Sequence, residues 1–106
     1  MQSERLPLNA FEWNDRKSET NRKNHGIDFS DAAQIFLGRT VERPDDRFHY
    51  DELRTIALGE VKGQVLVVVY TMREDTCRII SARRANKHER EYYYQVLFGR
   101  TPRPGG

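Results

Sequence analysis

The sequence predicts an α+β domain, a mostly antiparallel sheet of four or five strands with two helices before it and one after it. Three observations carry that expectation. The β-branched run Gln64 to Met72 is bounded by turn signals at Lys62-Gly63 and Arg73-Glu74-Asp75, as a meander of hairpins requires. Helix-capping residues stand outside those strands, at Asn14, Ser30 and Asn86. The 106 residues, 37% of them apolar and 32% charged, suit one core rather than two.

Residues 1–9 read as a flexible arm. Phe11-Glu12-Trp13 then alternates apolar and polar side chains as a short half-buried strand does. Asn14 is suited to cap a helix running from Asp15 to His25, with Gly26 as its C′ glycine. That segment contains no large apolar residue, so only caps and propensity support a helix, and a polar loop is the competing reading. Ser30 is the expected cap of a second, short helix whose apolar face is Ala32, Ala33, Ile35, Phe36 and Leu37, with Phe29 stapling its start and Gly38 ending it.

A short strand is expected at Thr40 to Arg43, then a loop or bend from Pro44 to Glu52 and a weakly alternating strand from Leu53 to Glu60. Gln64 to Met72 reads as a central strand covered on both faces. In the next strand, Cys77 to Ala82, strict alternation sets Arg78, Ile80 and Ala82 against Cys77, Ile79 and Ser81. Asn86 with Glu89 three residues later is a capping-box signal, and Tyr93, Val96 and Leu97 supply the face of a last helix through Phe98. The domain thus spans 10–98, and residues 99–106 (GRTPRPGG) read as a disordered tail.

Net charge is only +2, yet the charges are segregated. Glu42 to Glu60 holds six acids and three arginines, about −3, whereas Arg78 to Arg90 holds five bases and one acid, about +4. A second basic stretch carries Arg16, Lys17, Arg22 and Lys23 and ends in His25. One reading is that such charges merely cover solvated faces. For 78–90 that reading is weaker, because like charges concentrated at a strand-to-helix junction repel unless an anion or an acidic partner offsets them.

A single cysteine, Cys77, excludes an internal disulfide and a thiolate zinc cluster and agrees with a reducing compartment. The longest apolar run, Val65 to Tyr70, is far short of a membrane helix, and the first residues lack an apolar leader, so a soluble cytoplasmic protein is expected. His25, His49 and His88 form no metal-ligand spacing, and no phosphate loop, dinucleotide fingerprint or nucleophile elbow appears; no metal or other cofactor is expected.

What remains is a set of cations beside His, Glu and Tyr. That set suits phosphodiester chemistry on RNA, where the substrate's own 2′-OH is the nucleophile and the protein supplies a base, an acid and cations at the phosphate. His25 is chemically suited to proton transfer, although a histidine before a glycine is commonly a capping or packing residue. Arg78, Arg83 and Arg90 could bring guanidinium groups to one phosphate, or Arg83 or Arg90 could pair with Glu89 or an acid of the middle segment. Glu89 reads first as the closing residue of its capping box. Tyr93 is at a core-facing spacing, but its hydroxyl could reach a site.

Three segments taken in order resemble the BrnT toxins of bacterial type II toxin–antitoxin systems. They are Phe11-Glu12-Trp13…Lys17…Asn21…His25-Gly26…Phe29…Ala32-Ala33…Phe36, then Leu66-Val67-Val68-Val69, then Arg78-Ile79-Ile80-Ser81-Ala82-Arg83…Ala85…Glu89-Arg90…Tyr93. The resemblance covers roughly residues 10–94. It implies a RelE-like fold, a metal-independent endoribonuclease that inhibits translation, and neutralisation by a BrnA-like ribbon-helix-helix antitoxin, with operator DNA reached through that partner. Two positions depart from the pattern: Asn14 stands where an Asp follows the Trp, and Asn24 where a Lys precedes the His. Asn14 still caps a helix, whereas Asn24 leaves one cation fewer beside His25.

Carried over by matching motif, the resemblance implies catalytic roles among His25, Arg78, Arg83, Glu89 and Tyr93. Lys17, Arg84, Lys87 and Arg90 are the expected RNA-binding cations. The alternative expectation is a non-catalytic binding module that acts with a DNA-binding antitoxin as an operon co-repressor.

Overall fold

The computed structural model describes residues 10–47 and 51–99. The expected arm at 1–9, the tail beyond Gly99 and residues 48–50 of the acidic bend lie outside the described residues. The elements follow the expected order: β1 (Phe11–Glu12), α1 (Asp15–His25), α2 (Phe29–Ala33) running into a 3-10 turn (Gln34–Leu37), β2 (Thr40–Pro44), β3 (Thr55–Val61), β4 (Gln64–Arg73), β5 (Thr76–Arg84) and α3 (Lys87–Phe98). Among the described residues the five strands form one sheet in the order β1-β5-β4-β3-β2. All pairings are antiparallel except β1 with β5, so the fold is α+β with a mixed sheet. No helix of the described residues is long and apolar enough to cross a membrane.

The hairpin between β3 and β4 turns at Lys62 and Gly63, both with positive φ (52° and 81°), the backbone shape that matches strand twist. Strand β4 is buried on both sides as its β-branched run predicts. Leu66 and Val68 join Ile27, Phe29, Ala32, Ala33, Ile35, Ile79 and Ala82 in the core under α1 and α2. Val65, Val67 and Val69 join Ile56, Leu58, Ala85 and Tyr93 in a second core partly covered by α3. The helix side is closely fitted at Gly59, where an added Cβ would stand 2.5 Å from the Cβ of Ile35.

Helix α1 exists without an apolar face because its two buried residues are polar and fully used. Ser18 Oγ accepts the Phe29 N–H at 2.9 Å. Asn21 works as a surrogate peptide group: its Nδ2 donates to Ala82 O and Ile27 O, each at 2.8 Å, and its Oδ1 accepts the Ala82 N–H at 3.4 Å. These bonds seal the edge of β5 beyond the short strand β1, whose pairing reaches only Cys77 and Arg78. Asn14 caps the helix by accepting from Lys17 N, and Gly26 closes it in the left-handed region at φ 74°.

Three details differ from the sequence expectation. The cap of α2 is Asp28, whose carboxylate accepts from Asp31 N, while Ser30 lies inside the helix and donates to Asp28. In α3, Tyr93 is buried and Tyr94 and Leu97 pack beside it, but Val96 is exposed. At 100° per residue, Val96 falls well outside the arc shared by those three.

The third difference matters most for function. Opposite Val69 and Tyr70 stand Ser81 and Ile79, so Ile80 is an extra residue in β5. The bulge reverses the alternation: Ile79 and Ala82 pack together on the helix side, while Ser81 and Arg83 turn to the other face.

Candidate active site

Re-aimed by the bulge, Arg83 meets Glu89 at the start of α3. Its Nη1 donates to Glu89 Oε1 at 2.8 Å and its Nη2 to Oε2 at 2.7 Å, a two-pronged pair. Glu89 is held from its own side as well. Asn86 accepts the Glu89 N–H at 2.9 Å, and the Asn86 N–H donates back to Glu89 Oε1 at 2.8 Å, which completes the capping box. The Arg83 hydrogen bonds, against a smaller opposing effect of burial and helped by the Asn86 N–H and the charges of Arg83 and Arg43, bring the Glu89 carboxyl down to about 2. A carboxylate that acidic stays ionised at neutral pH and is a poor proton acceptor. Its physical effect is to fix the plane of the Arg83 guanidinium.

A second arginine is fixed in the same way from across the sheet. The Asp45 side chain has no exposure; it accepts Arg47 Nε at 2.8 Å and Nη2 at 2.9 Å. Asp45 is itself anchored through its N–H, which donates to Arg54 O at 2.8 Å. Arg43, at the end of β2, completes the ring. Arg43, Arg47, Ser81, Arg83 and Glu89 line a cavity of about 110 Å³ floored by Ile56, Val67 and Val69. The charge of Arg47 opposes that of Arg83, so the two guanidinium groups share one field. Three arginines against two carboxylates leave this cradle one positive charge.

A larger cavity of about 270 Å³ adjoins it, lined by Val41, Arg43, Ile56, Leu58, Val67, His88, Glu89 and Tyr92. Arg43, Ile56, Val67 and Glu89 line both, so the two spaces are immediate neighbours. His88 precedes Glu89 in the first turn of α3, and Tyr92 follows one turn later on the same side. Arginine forks, a histidine and a tyrosine over an apolar floor can bind a phosphodiester, move a proton and receive a ring.

Of the residues nominated from sequence, the structure brings only Arg83 and Glu89 into this cavity. His25 and Lys17 line a separate cleft of about 440 Å³ with Arg16, Thr20, Asn21, Asn24, Phe29 and Ile80, which shares no lining residue with the arginine cradle. Arg84 faces that side. It donates from Nη1 to His25 O at 2.9 Å and from Nε to Gln64 Oε1 at 3.2 Å, capping the end of α1. Arg78 pairs with Glu12 at 3.2 Å in a chain of charges that continues through Arg73 and Glu52 to Arg54. Arg90 donates to Ala85 O at 2.9 Å, Lys87 is exposed in the first turn of α3, and Tyr93 is buried with its hydroxyl donating to Arg39 O at 3.4 Å.

Sequence reasoning overlooked Arg43, Arg47, His88 and Tyr92. His88 and Tyr92 carry a readable signal, an i, i+4 spacing flanking the capping-box Glu89. Arg43 and Arg47 carry none, since they lie in the segment that reads as acidic.

The family model described as "Ribonuclease toxin, BrnT, of type II toxin-antitoxin system" matches residues 13–89. The chain belongs to the BrnT family. Its members are type II toxins with ribonuclease activity, and the system to which they belong pairs each toxin with an antitoxin. The BrnT match begins at Trp13 and ends at Glu89, so it contains α1, strands β2 to β5 and the Arg83–Glu89 pair, while β1 precedes it and Arg90, Tyr92 and Tyr93 follow it. No curated protein matches this BrnT family chain.

Proposed function

We propose that this member of the BrnT family is a metal-independent endoribonuclease that cleaves RNA on the face carrying the arginine cradle, through the substrate's 2′-OH. The observation that carries this reading is the Arg83–Glu89 pair facing Arg47 and Arg43 across one cavity. Arg83 and Arg47 are each oriented by a carboxylate, and Arg43 stands beside them on the same cavity. Because these forks are oriented before substrate arrives, little reorganisation is needed as charge grows on the phosphate.

His88, on the wall of the neighbouring cavity, takes the proton of the 2′-OH on an imidazole nitrogen. The 2′ oxygen then bonds to phosphorus, the bond from phosphorus to the 5′ oxygen breaks, and the leaving oxygen takes a proton from solvent. The products are a 2′,3′-cyclic phosphate and a 5′-hydroxyl. Glu89 acts here as a positioning residue. The Lys17–His25 cleft serves as a basic surface for RNA or for the antitoxin. We assign that partner as a BrnA-like ribbon-helix-helix protein that carries the complex to operator DNA, all within the cytoplasm.

Incubating the purified protein with RNA in EDTA and identifying the new ends tests this directly. Cyclic or 3′ phosphate ends are expected, and RNA left intact both free and on ribosomes overturns the reading. One observation favours the alternative of a non-catalytic co-repressor: two of the three cradle arginines are already paired with carboxylates. It predicts that the protein binds its antitoxin and represses without cleaving.

A further inference from the structure

We propose that the cavity of about 270 Å³ beside the arginine cradle is a subsite for a purine base of the bound strand, with Tyr92 as its stacking wall and Arg43 as its reading group. This rests on the ribonuclease reading above. The lining divides as a base requires. Val41, Ile56, Leu58 and Val67 make an apolar floor, Tyr92 and His88 make one wall, and the polar groups at the rim are Arg43 and Glu89. Tyr92 is 51% exposed, so its ring is open to a base rather than consumed by the core.

Size and hydrogen bonding both select the larger bases. An apolar cavity of about 150 Å³ takes one benzene ring. The space here is nearly twice that and suits two fused rings. The Glu89 oxygens already accept the two Arg83 bonds and the Asn86 N–H. Arg43 forms no ion pair within 4 Å among the described residues, so its fork is the donor available at the rim. Purines alone present N7, and guanine sets O6 beside it for both prongs of the fork, whereas the single carbonyl acceptors of a pyrimidine edge engage one prong only. The lining shared with the cradle places a base here while its own or the next phosphate lies among Arg43, Arg47 and Arg83.

The test is an amide NMR titration of the full chain with the four nucleoside 5′-monophosphates and with inorganic phosphate. The purine nucleotides should perturb Val41, Leu58, His88 and Tyr92 and bind about tenfold or more tightly than the pyrimidine nucleotides. Inorganic phosphate should perturb only the cradle. Tyr92→Ala should weaken purine binding by about five- to 150-fold, the range for losing one stacked base. Val41→Phe should fill the space and remove the purine preference, with the dispersed amide spectrum reporting that each variant is folded.

Equal binding of all four nucleotides, purine shifts confined to the cradle, or unchanged preference in folded Tyr92→Ala would overturn the subsite. RNA cleavage is scored separately. Purine binding at these residues with RNA left intact overturns the ribonuclease reading and leaves the subsite standing; cleavage without purine binding does the opposite.

Discussion

Arg83 and Arg84 are neighbours in sequence and point to opposite sides of the sheet, and their surroundings differ in kind. Arg84 donates to the last carbonyl of α1 and to Gln64, so its charge is used to join a helix end to a strand. Arg83 is held by a carboxylate over a cavity also lined by Arg47 and Arg43, with His88 on the cavity next to it. The cluster from 78 to 90 that looks like one basic site in sequence is therefore divided by the fold. Arg78, Arg84 and Arg90 bind the structure together, and Arg83 faces open space. The difference teaches that the cavity, not the type of partner, marks the arginine for chemistry: Arg78 is also paired with a carboxylate and Arg83 also donates to Arg84 O at 3.3 Å, yet of these four only Arg83 lines the cradle.

The largest expected effect separates the two histidines. His88→Ala should lower RNA cleavage by about 10²–10⁴-fold, the range for a lost proton-transfer group. His25→Ala should change it by less than about fivefold, since its cleft shares no lining residue with the cradle. Cleavage rates of the two purified variants decide, and the reverse ranking would move the active site to the α1 side.

Next comes Arg83→Ala, expected to lose about 10²–10³-fold in rate, as does removal of one preorganised donor to developing charge. Arg84→Ala should instead lower the unfolding midpoint more than the rate. If both arginine variants lost activity equally while folded, the contrast drawn between the two faces would collapse.

Two stability effects probe the helix side alone. Asn21→Ala leaves Ala82 N–H, Ala82 O and Ile27 O without their partner, at a cost of about 1–3 kcal/mol for each buried group left unsatisfied. Gly59→Ala drives a Cβ against Ile35 and should cost about 1–3 kcal/mol by overpacking. Urea unfolding measures both, and a change within error for either would show that the α1–α2 layer adjusts more freely than its contacts imply.

The smallest effect is a pH dependence on the cradle side. Glu89 has its carboxyl lowered from 4.5 to about 2 in the folded chain, so its pairing with Arg83 stabilises the fold fully above about pH 4.5. Below that value the unfolded carboxyl takes up a proton while the folded one stays ionised, and the contribution falls away as pH drops towards 2. The pair is partly solvent-exposed, which keeps the effect small. The difference in urea midpoint between the parent chain and Glu89→Gln should therefore shrink from pH 7 to pH 3. A difference that holds constant over that range would show that the carboxylate charge does not contribute.

Much of the architecture is legible because local rules agree with the global fold. Asn14 and Asn86 cap the helices they announce, Lys62-Gly63 turns a hairpin, and the β-branched run is a strand buried on both faces. The site is less legible. Arg83 and Glu89 stand six residues apart and share a strand-to-helix junction, so local sequence brings them together. Arg43 and Arg47 arrive from β2 and the bend after it, and only strand pairing carries them to the same cavity.

The sequence by itself determined the element order, the Asn14 and Asn86 caps and the Glu89 capping box, since each depends on residues within one turn or one hairpin. Tertiary structure alone decided two things. An all-polar α1 is helical because Ser18 and Asn21 find backbone partners in Phe29, Ile27 and Ala82, up to 61 positions away. Arg83 faces the cavity because Ile80 is an extra residue opposite β4, and a one-residue slip in a period-two strand sends every later side chain to the other face.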